Sequence, residues 1–116
     1  MNVEELRAYC LNKKAVEECF PFDDKTLVFK VLGKMFALIG LENADFVNLK
    51  CDPELALEYR ERYPEIKGGY HMSKKHWNTV EYVALEDEFV IQMIDHSYDL
   101  VVASMPKKTQ LKLKES

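Results

Sequence analysis

No apolar run reaches the roughly 18 residues that a membrane-spanning helix needs, so no membrane span is expected. The first residues include Glu4, Glu5 and Arg7, which interrupt any signal-peptide pattern. Cysteine is scarce. Cys10, Cys19 and Cys51 are odd in number and at no metal-like spacing, so free thiols in a reducing cytoplasm are the simplest reading. The glycines a phosphate loop would require are missing. Gly68-Gly69 lacks the further glycines and the Lys-Ser/Thr ending of that motif. Positive charge is in deficit as well. The formal net charge of -4 argues against a general polyanion binder, although binding depends on where charge sits.

What is present suits one domain with a single core: 116 residues, 47% of them apolar and 31% charged. One stretch is chemically odd. Gly68 to Val80 reads GGYHMSKKHWNTV and holds the adjacent glycines, the single tryptophan, two of the three histidines and a Lys-Lys pair, with no acidic residue.

Local signals place the elements. Asn2 caps a first helix near residues 3–12, with Glu4 and Glu5 in its first turn and Val3, Leu6, Tyr9 and Cys10 on one side. Ala15 to Phe22 fits either a short helical turn or an edge strand, and Pro21 stops it. Thr26 to Leu41 reads as a hairpin around Leu32-Gly33. A two-residue loop would set Phe29 against Phe36 and Leu27 against Leu38, these four facing the core, with Val28, Lys30, Met35 and Ala37 on the other face. Leucine disfavours the positive φ of a type I′ turn, so a type II-like or longer loop is expected. Phe46 to Cys51 is a third strand. Asp52-Pro53 opens a helix near residues 53–63, with Leu55, Ala56, Tyr59 and Tyr63 as its buried stripe. Glu65 to Tyr70 reads as a loop loosened by Gly68-Gly69, and His71 to Val83 as extended chain. Asp87 starts a last helix to about Met105, with Val90, Ile94, Ser97 and Val101 on one stripe. Residues 1–106 form the domain, and Lys107 to Ser116 reads as a frayed basic tail. The fold class is α+β, an antiparallel sheet with helices packed on one face.

Several chemistries find little support. His71 and His76 are five apart, which puts them on opposite faces of a strand or roughly 140° apart on a helix, so no shared metal ion is expected. His96 lies on the last helix near Asp95 and Asp99. Cys51 and Ser73 stand in no nucleophile motif, and Cys51 reads as a buried structural thiol. Glu86-Asp87-Glu88 is a helix-start cluster.

Nucleic-acid binding is the sharper possibility. If His71 to Val80 is a strand, Met72, Lys74, His76 and Asn78 share one face, and Ser73, Lys75, Trp77 and Thr79 share the other. Lys74 and Lys75 can meet phosphates, Asn78 a base edge, and Trp77 a base by stacking. Lys30 and Lys34 flank the first hairpin tip and offer a second basic finger. The structural alternative makes Trp77 a core anchor and the lysines solvated, and tryptophan is mostly buried. Glu81 to Asp99 carries six acidic residues and no lysine or arginine, a strip that would repel DNA if it lay beside this face.

Five stretches together resemble the MmcQ/YjbR family of small bacterial proteins. They are YHMSKKHWNTV at Tyr70 to Val80, FPFDDKTLVFKVLGKMFAL at Phe20 to Leu38, NLKCDPE at Asn48 to Glu54, RYP at Arg62 to Pro64 and HSYDLVVASMPKK at His96 to Lys108. Gly68 stands where that family often has proline, and Leu32 where glycine is frequent. The resemblance implies an α+β fold similar to that of secretion chaperones. It also implies a double-wing DNA-binding role in which hairpins act as wings, with contacts among Tyr70, His71, Lys74, Lys75, His76, Trp77 and Asn78, and no enzymatic activity or cofactor. The resulting expectation is a non-enzymatic cytoplasmic module that binds double-stranded DNA through residues 70–80. The alternative is a protein-interaction or homodimerisation module of chaperone-like fold. An enzyme would need a pocket collecting His71, His76 and a carboxylate.

Overall fold

Three helices begin where their first residues dictate. In the computed structural model, which describes residues 1–70 and 72–115, the Asn2 side chain accepts from the Glu5 N–H at 2.8 Å. The Glu5 carboxylate accepts from the Asn2 N–H at 3.0 Å in return, and this reciprocal box starts α1 (Val3–Leu11). Asp52 accepts from the Leu55 N–H and Pro53 takes the first position of α2 (Pro53–Arg62). The third helix, α3 (Asp87–Ala103), begins at Asp87 with two acids in its first turn.

Among the described residues six strands form one sheet: β1 (Val16–Cys19), β2 (Thr26–Val31), β3 (Lys34–Gly40), β4 (Val47–Lys50), β5 (Ile66–Gly68) and β6 (Trp77–Val80). Their order is β1-β2-β3-β4-β6-β5, and every neighbouring pair is antiparallel. The main core lies between this sheet and the helices. Leu27, Phe29, Ile39, Val47 and Leu49 face Leu6 and Cys10 of α1 and the α3 stripe Val90, Met93, Ile94 and Val101. Tyr59 of α2 and Tyr63 just after it complete the core, edge-on and tilted against Phe89. No helix among the described residues is long and apolar enough to cross a membrane.

The hairpin differs from expectation in two ways. Its register pairs Leu27 with Ile39, Val28 with Leu38 and Phe29 with Ala37, then Lys30 with Met35, so Phe36 is the extra residue of a β-bulge. Phe36 still joins Phe29 in the core, but Ala37 and Ile39 face inward beside it while Leu38 lies on the opposite face. The bulge has a partner 61 residues away. Ser97 of α3, wholly buried, donates from Oγ to the Phe36 carbonyl at 2.5 Å and accepts from the Lys50 N–H at 2.9 Å. The turn is a tight two-residue loop with positive φ at both Leu32 (48°) and Gly33 (84°). A leucine there costs about 1–2 kcal/mol, and its N–H is held by the Ala15 carbonyl at 3.3 Å.

One open reading is settled and three other segments are corrected. Ala15 to Phe22 resolves as the edge strand β1. Glu65 to Tyr70 contains β5, not a loose loop, and Gly69 is placed there for space: a Cβ on it would lie 2.7 Å from the Trp77 Cβ. Of the extended run expected from His71 to Val83, the described residues form a strand only over β6, followed by a 3-10 turn at Tyr82–Ala84. The tail is ordered as α4 (Lys107–Glu115), because Leu113 buries itself in the main core and Gln110 Nε2 donates to the Met105 carbonyl at 2.7 Å.

Candidate functional site

The Lys-Lys segment is held in place by a residue from outside it. Arg60, on α2, donates from Nε to the Asn78 Oδ1 at 2.7 Å and from Nη2 to the carbonyls of Trp77, at 3.2 Å, and of Lys74. Asn78 Nδ2 in turn donates to the Ala56 carbonyl at 3.5 Å. Ser73 closes the turn by accepting the N–H groups of His76 and Trp77. Lys74, Lys75 and His76 therefore sit in an exposed turn, not on alternating faces of a strand. The requirement for Gly69 belongs to the same fitting, since its N–H donates to the Trp77 carbonyl at 2.8 Å.

The expected contact residues separate into two groups. Tyr70, Lys74, Lys75 and His76 are exposed, as is Lys34 at the hairpin tip, while Lys30 is half-buried. Trp77 is 8% exposed and Asn78 2%. Asn78 cannot reach a base edge, because its amide is spent on Arg60 and Ala56. Trp77 is enclosed by Val28, Leu38, Met35 and Met72 in a second small core on the side of the sheet that the helices leave uncovered. That packing joins the β2–β3 hairpin to the Lys74–His76 turn, since Met35 is the cross-strand partner of Lys30. His71 lies outside the described residues.

Most of the acidic strip is on one helix. Asp87, Glu88, Asp95 and Asp99 belong to α3, which packs on the helical face, and Asp95 is further engaged by Lys13 and by the Tyr9 hydroxyl. His96 Nε2 accepts from the Asp52 N–H at 3.1 Å and so helps join α3 to the start of α2. Burial pushes the Cys51 thiol up to about 11 and the Cys10 thiol up to about 12, so both are protonated at neutral pH. Among the described residues no three His, Cys, Asp or Glu side chains are grouped to hold a metal ion.

A second feature has no counterpart in the sequence reading. One residue from every strand lines up across the uncovered face: Cys19, Val28, Leu38, Asn48, Thr79 and Lys67, each the cross-strand partner of the next. The row is apolar on β1–β3 and polar on β4, β6 and β5. Its middle forms the floor of a cleft of about 800 Å³ walled by Phe22, Phe46, Tyr70 and Met72. Phe22 and Tyr70 are exposed aromatics next to turns. Arg60 carried no local signal, because its partners lie 14 to 18 residues away.

Known proteins share this architecture. Two crystal structures superpose on the chain: a Deinococcus radiodurans protein with the DUF419 domain, and a protein from Pseudomonas syringae. The first gives a TM-score of 0.90 at 38% identity over 97% of this chain and 88% of that one. The second gives 0.73 at 28% identity over 86% and 98%. Uncharacterized protein YbdF of Escherichia coli O157:H7 is 37% identical over 113 residues, 96% of this chain and 93% of that protein. Uncharacterized protein YjbR of Escherichia coli K12 is 33% identical over 111 residues, 93% of each. The family model described as YjbR matches residues 11–100. With that model spanning most of its length and relatives aligning nearly end to end, the chain belongs to the YjbR family.

Proposed function

We propose that the protein is a non-enzymatic cytoplasmic module that binds double-stranded DNA through the Lys74–His76 turn. One observation carries this reading. Arg60 fixes the backbone of that turn from behind, at Lys74 and Trp77, while Lys74, Lys75 and His76 stay exposed. Neither lysine forms an ion pair with a described residue. A positive turn held rigid loses little conformational entropy on meeting phosphates. Two of the acids on α3 are already paired, Asp87 with the N-terminal ammonium and Asp95 with Lys13, which lessens the repulsion that net charge alone would suggest. Tyr70 and Lys34 extend the surface, and the buried Trp77 and Asn78 support it from below.

Contacts of this kind go mainly to the backbone of the duplex, so binding is weak in sequence preference and steep in salt. Each neutralised phosphate adds about 0.9 to the slope of log affinity against log salt. Duplex DNA titrated into isotope-labelled protein at low and moderate salt should shift the amides of residues 72–77. The double variant Lys74→Glu, Lys75→Glu should abolish those shifts, while charge reversal of Lys107 and Lys108 should matter less. Unshifted amides at low salt, or equal binding by the double variant, would reject the reading. A concentration-dependent dimer covering Lys74 and Lys75 would replace it with an interaction module.

A further inference from the structure

The cleft on the uncovered sheet face has the build of a small-molecule site, and its chemistry is separate from that of the lysine turn. Its volume of about 800 Å³ falls in the range of roughly 300–1,000 Å³ usual for ligand pockets. The walls are flat and polarizable: the rings of Phe22, Phe46 and Tyr70 and the thioether of Met72. Leu38 supplies an apolar floor beside them, and the floor turns polar at Asn48.

The polar end is a set of donors. Thr79 Oγ1 accepts from the Tyr70 N–H at 2.9 Å, so its own proton goes to Asn48 Oδ1. That leaves Asn48 Nδ2 with no acceptor among the described residues. Lys67, cross-strand from Thr79, forms no ion pair among them either. The cleft's acids are already engaged elsewhere. The Asp23 carboxylate accepts from the N–H groups of Lys25 and Thr26 at 2.9 and 2.7 Å, and Glu42 is bound by Lys25 at 2.9 Å. The unmet capacity beside the aromatic walls is thus one cation, Lys67, and the amide of Asn48, with a second amide, the exposed Asn43, also lining the cleft.

We propose that this cleft binds a small planar aromatic carboxylate, its ring between Phe46, Tyr70 and Met72 and its carboxylate on Lys67 Nζ and Asn48 Nδ2. The ring replaces water on the apolar walls. The carboxylate accepts a charge-assisted bond from the ammonium and a neutral one from the amide.

Three probes test this: 2-naphthoate, the uncharged 2-naphthalenemethanol, and cyclohexanecarboxylate, which has the charge but no aromatic ring. Each is titrated into isotope-labelled full-length protein. Saturating shifts with 2-naphthoate are expected at the amides of Leu38, Asn48, Gly68 and Thr79 and at the Asn48 side-chain NH₂. Both other probes should bind at least about tenfold more weakly. Lys67→Gln should cost 2-naphthoate about tenfold, the worth of one charge-assisted bond. Lys67 is exposed, so that variant keeps its fold, which its spectrum checks directly. The double variant Lys74→Glu, Lys75→Glu should leave 2-naphthoate binding unchanged, which separates this site from the DNA surface. No saturation up to the solubility limit, equal affinity for all three probes, or shifts centred away from the cleft would overturn the proposal.

Discussion

Arg60 Nε and Asn78 Oδ1 meet at 2.7 Å, and this bond ties α2 to β6. Asn78 is buried, so removing its donor strands a polar group away from water. Arg60→Ala should therefore cost about 1–3 kcal/mol in a urea melt. Arg60→Lys should rescue little, because one ammonium cannot reproduce the planar fork that also reaches two carbonyls. Hydrogen exchange at residues 72–77 should speed up in both variants. A melt unchanged by Arg60→Ala would show that the turn holds itself.

Trp77 and Gly69 should fail together. Trp77→Ala empties the small core on the uncovered face and should cost about 3–5 kcal/mol. A loss below about 1 kcal/mol in urea would favour a role in stacking on a ligand instead. Gly69→Ala pushes a methyl to 2.7 Å from the Trp77 Cβ and 3.0 Å from its carbonyl, and backbone cannot yield as a flexible side chain can. Its cost should be about 1–3 kcal/mol, typical of overpacking.

Leu32 offers the opposite sign. It holds positive φ in a two-residue hairpin turn where asparagine before glycine is preferred. Leu32→Asn should raise stability by about 1 kcal/mol, read as a higher urea midpoint at unchanged slope. A lower midpoint would mean that the leucine side chain makes a contact worth more than its strain.

Alkaline pH should unfold the protein. Burial raises the Cys10 thiol from its ordinary 9.0 to about 12 in the folded state. The unfolded chain then loses its thiol proton first, so stability is complete below about pH 9 and falls as pH rises towards 12. Each unit in that window removes at most about 1.4 kcal/mol through this thiol. Tyr9 and Tyr82, both raised to about 12, add the same sign from about pH 10 upward. Thermal melts from pH 8 to 11 should show the decline, and Cys10→Ala should shallow it between pH 9 and 10. In the native state Cys19, half-exposed, should react with a thiol reagent before Cys10 or Cys51.

Ser97→Ala leaves the Phe36 carbonyl and the Lys50 N–H both without their partner. The expected loss is about 1–3 kcal/mol. Ser97→Thr, which keeps the hydroxyl but adds a methyl in a filled core, should be damaging through crowding instead. A chemical melt of each variant checks this, and a neutral Ser97→Ala would mean that water takes over both groups.

Helix starts and the buried stripe of α3 were legible because their causes are local. Asn2, Asp52-Pro53 and the spacing of Val90, Ile94, Ser97 and Val101 all act within a few residues. The face of Leu38 was not, because the bulge that turns it outward is held by Ser97, which lies on a different element. The chain near Lys74 stood out by composition, yet its conformation depends on Arg60. α4 is hard to read from sequence because one buried residue, Leu113, anchors an otherwise polar helix. The cleft draws on Phe22, Phe46 and the Lys67–Tyr70 stretch, three separate segments, so no window of sequence could display it.

The row across the uncovered face divides the molecule by chain order. Cys19, Val28 and Leu38 come from the meander β1–β3, and Asn48, Thr79 and Lys67 from the later strands. These halves are joined by only two paired positions, Ala37 with Leu49 and Leu38 with Asn48. Ser97 spans that seam, bonding Phe36 on one side and Lys50 on the other. α3 is therefore a splint across a short joint whose other face is held by Trp77 on Val28 and Leu38, and partial unfolding that frees both would let the sheet part into two three-stranded leaves. The cleft floor would split between Leu38 and Asn48, so whatever occupies the cleft would act as a further fastener on the same joint.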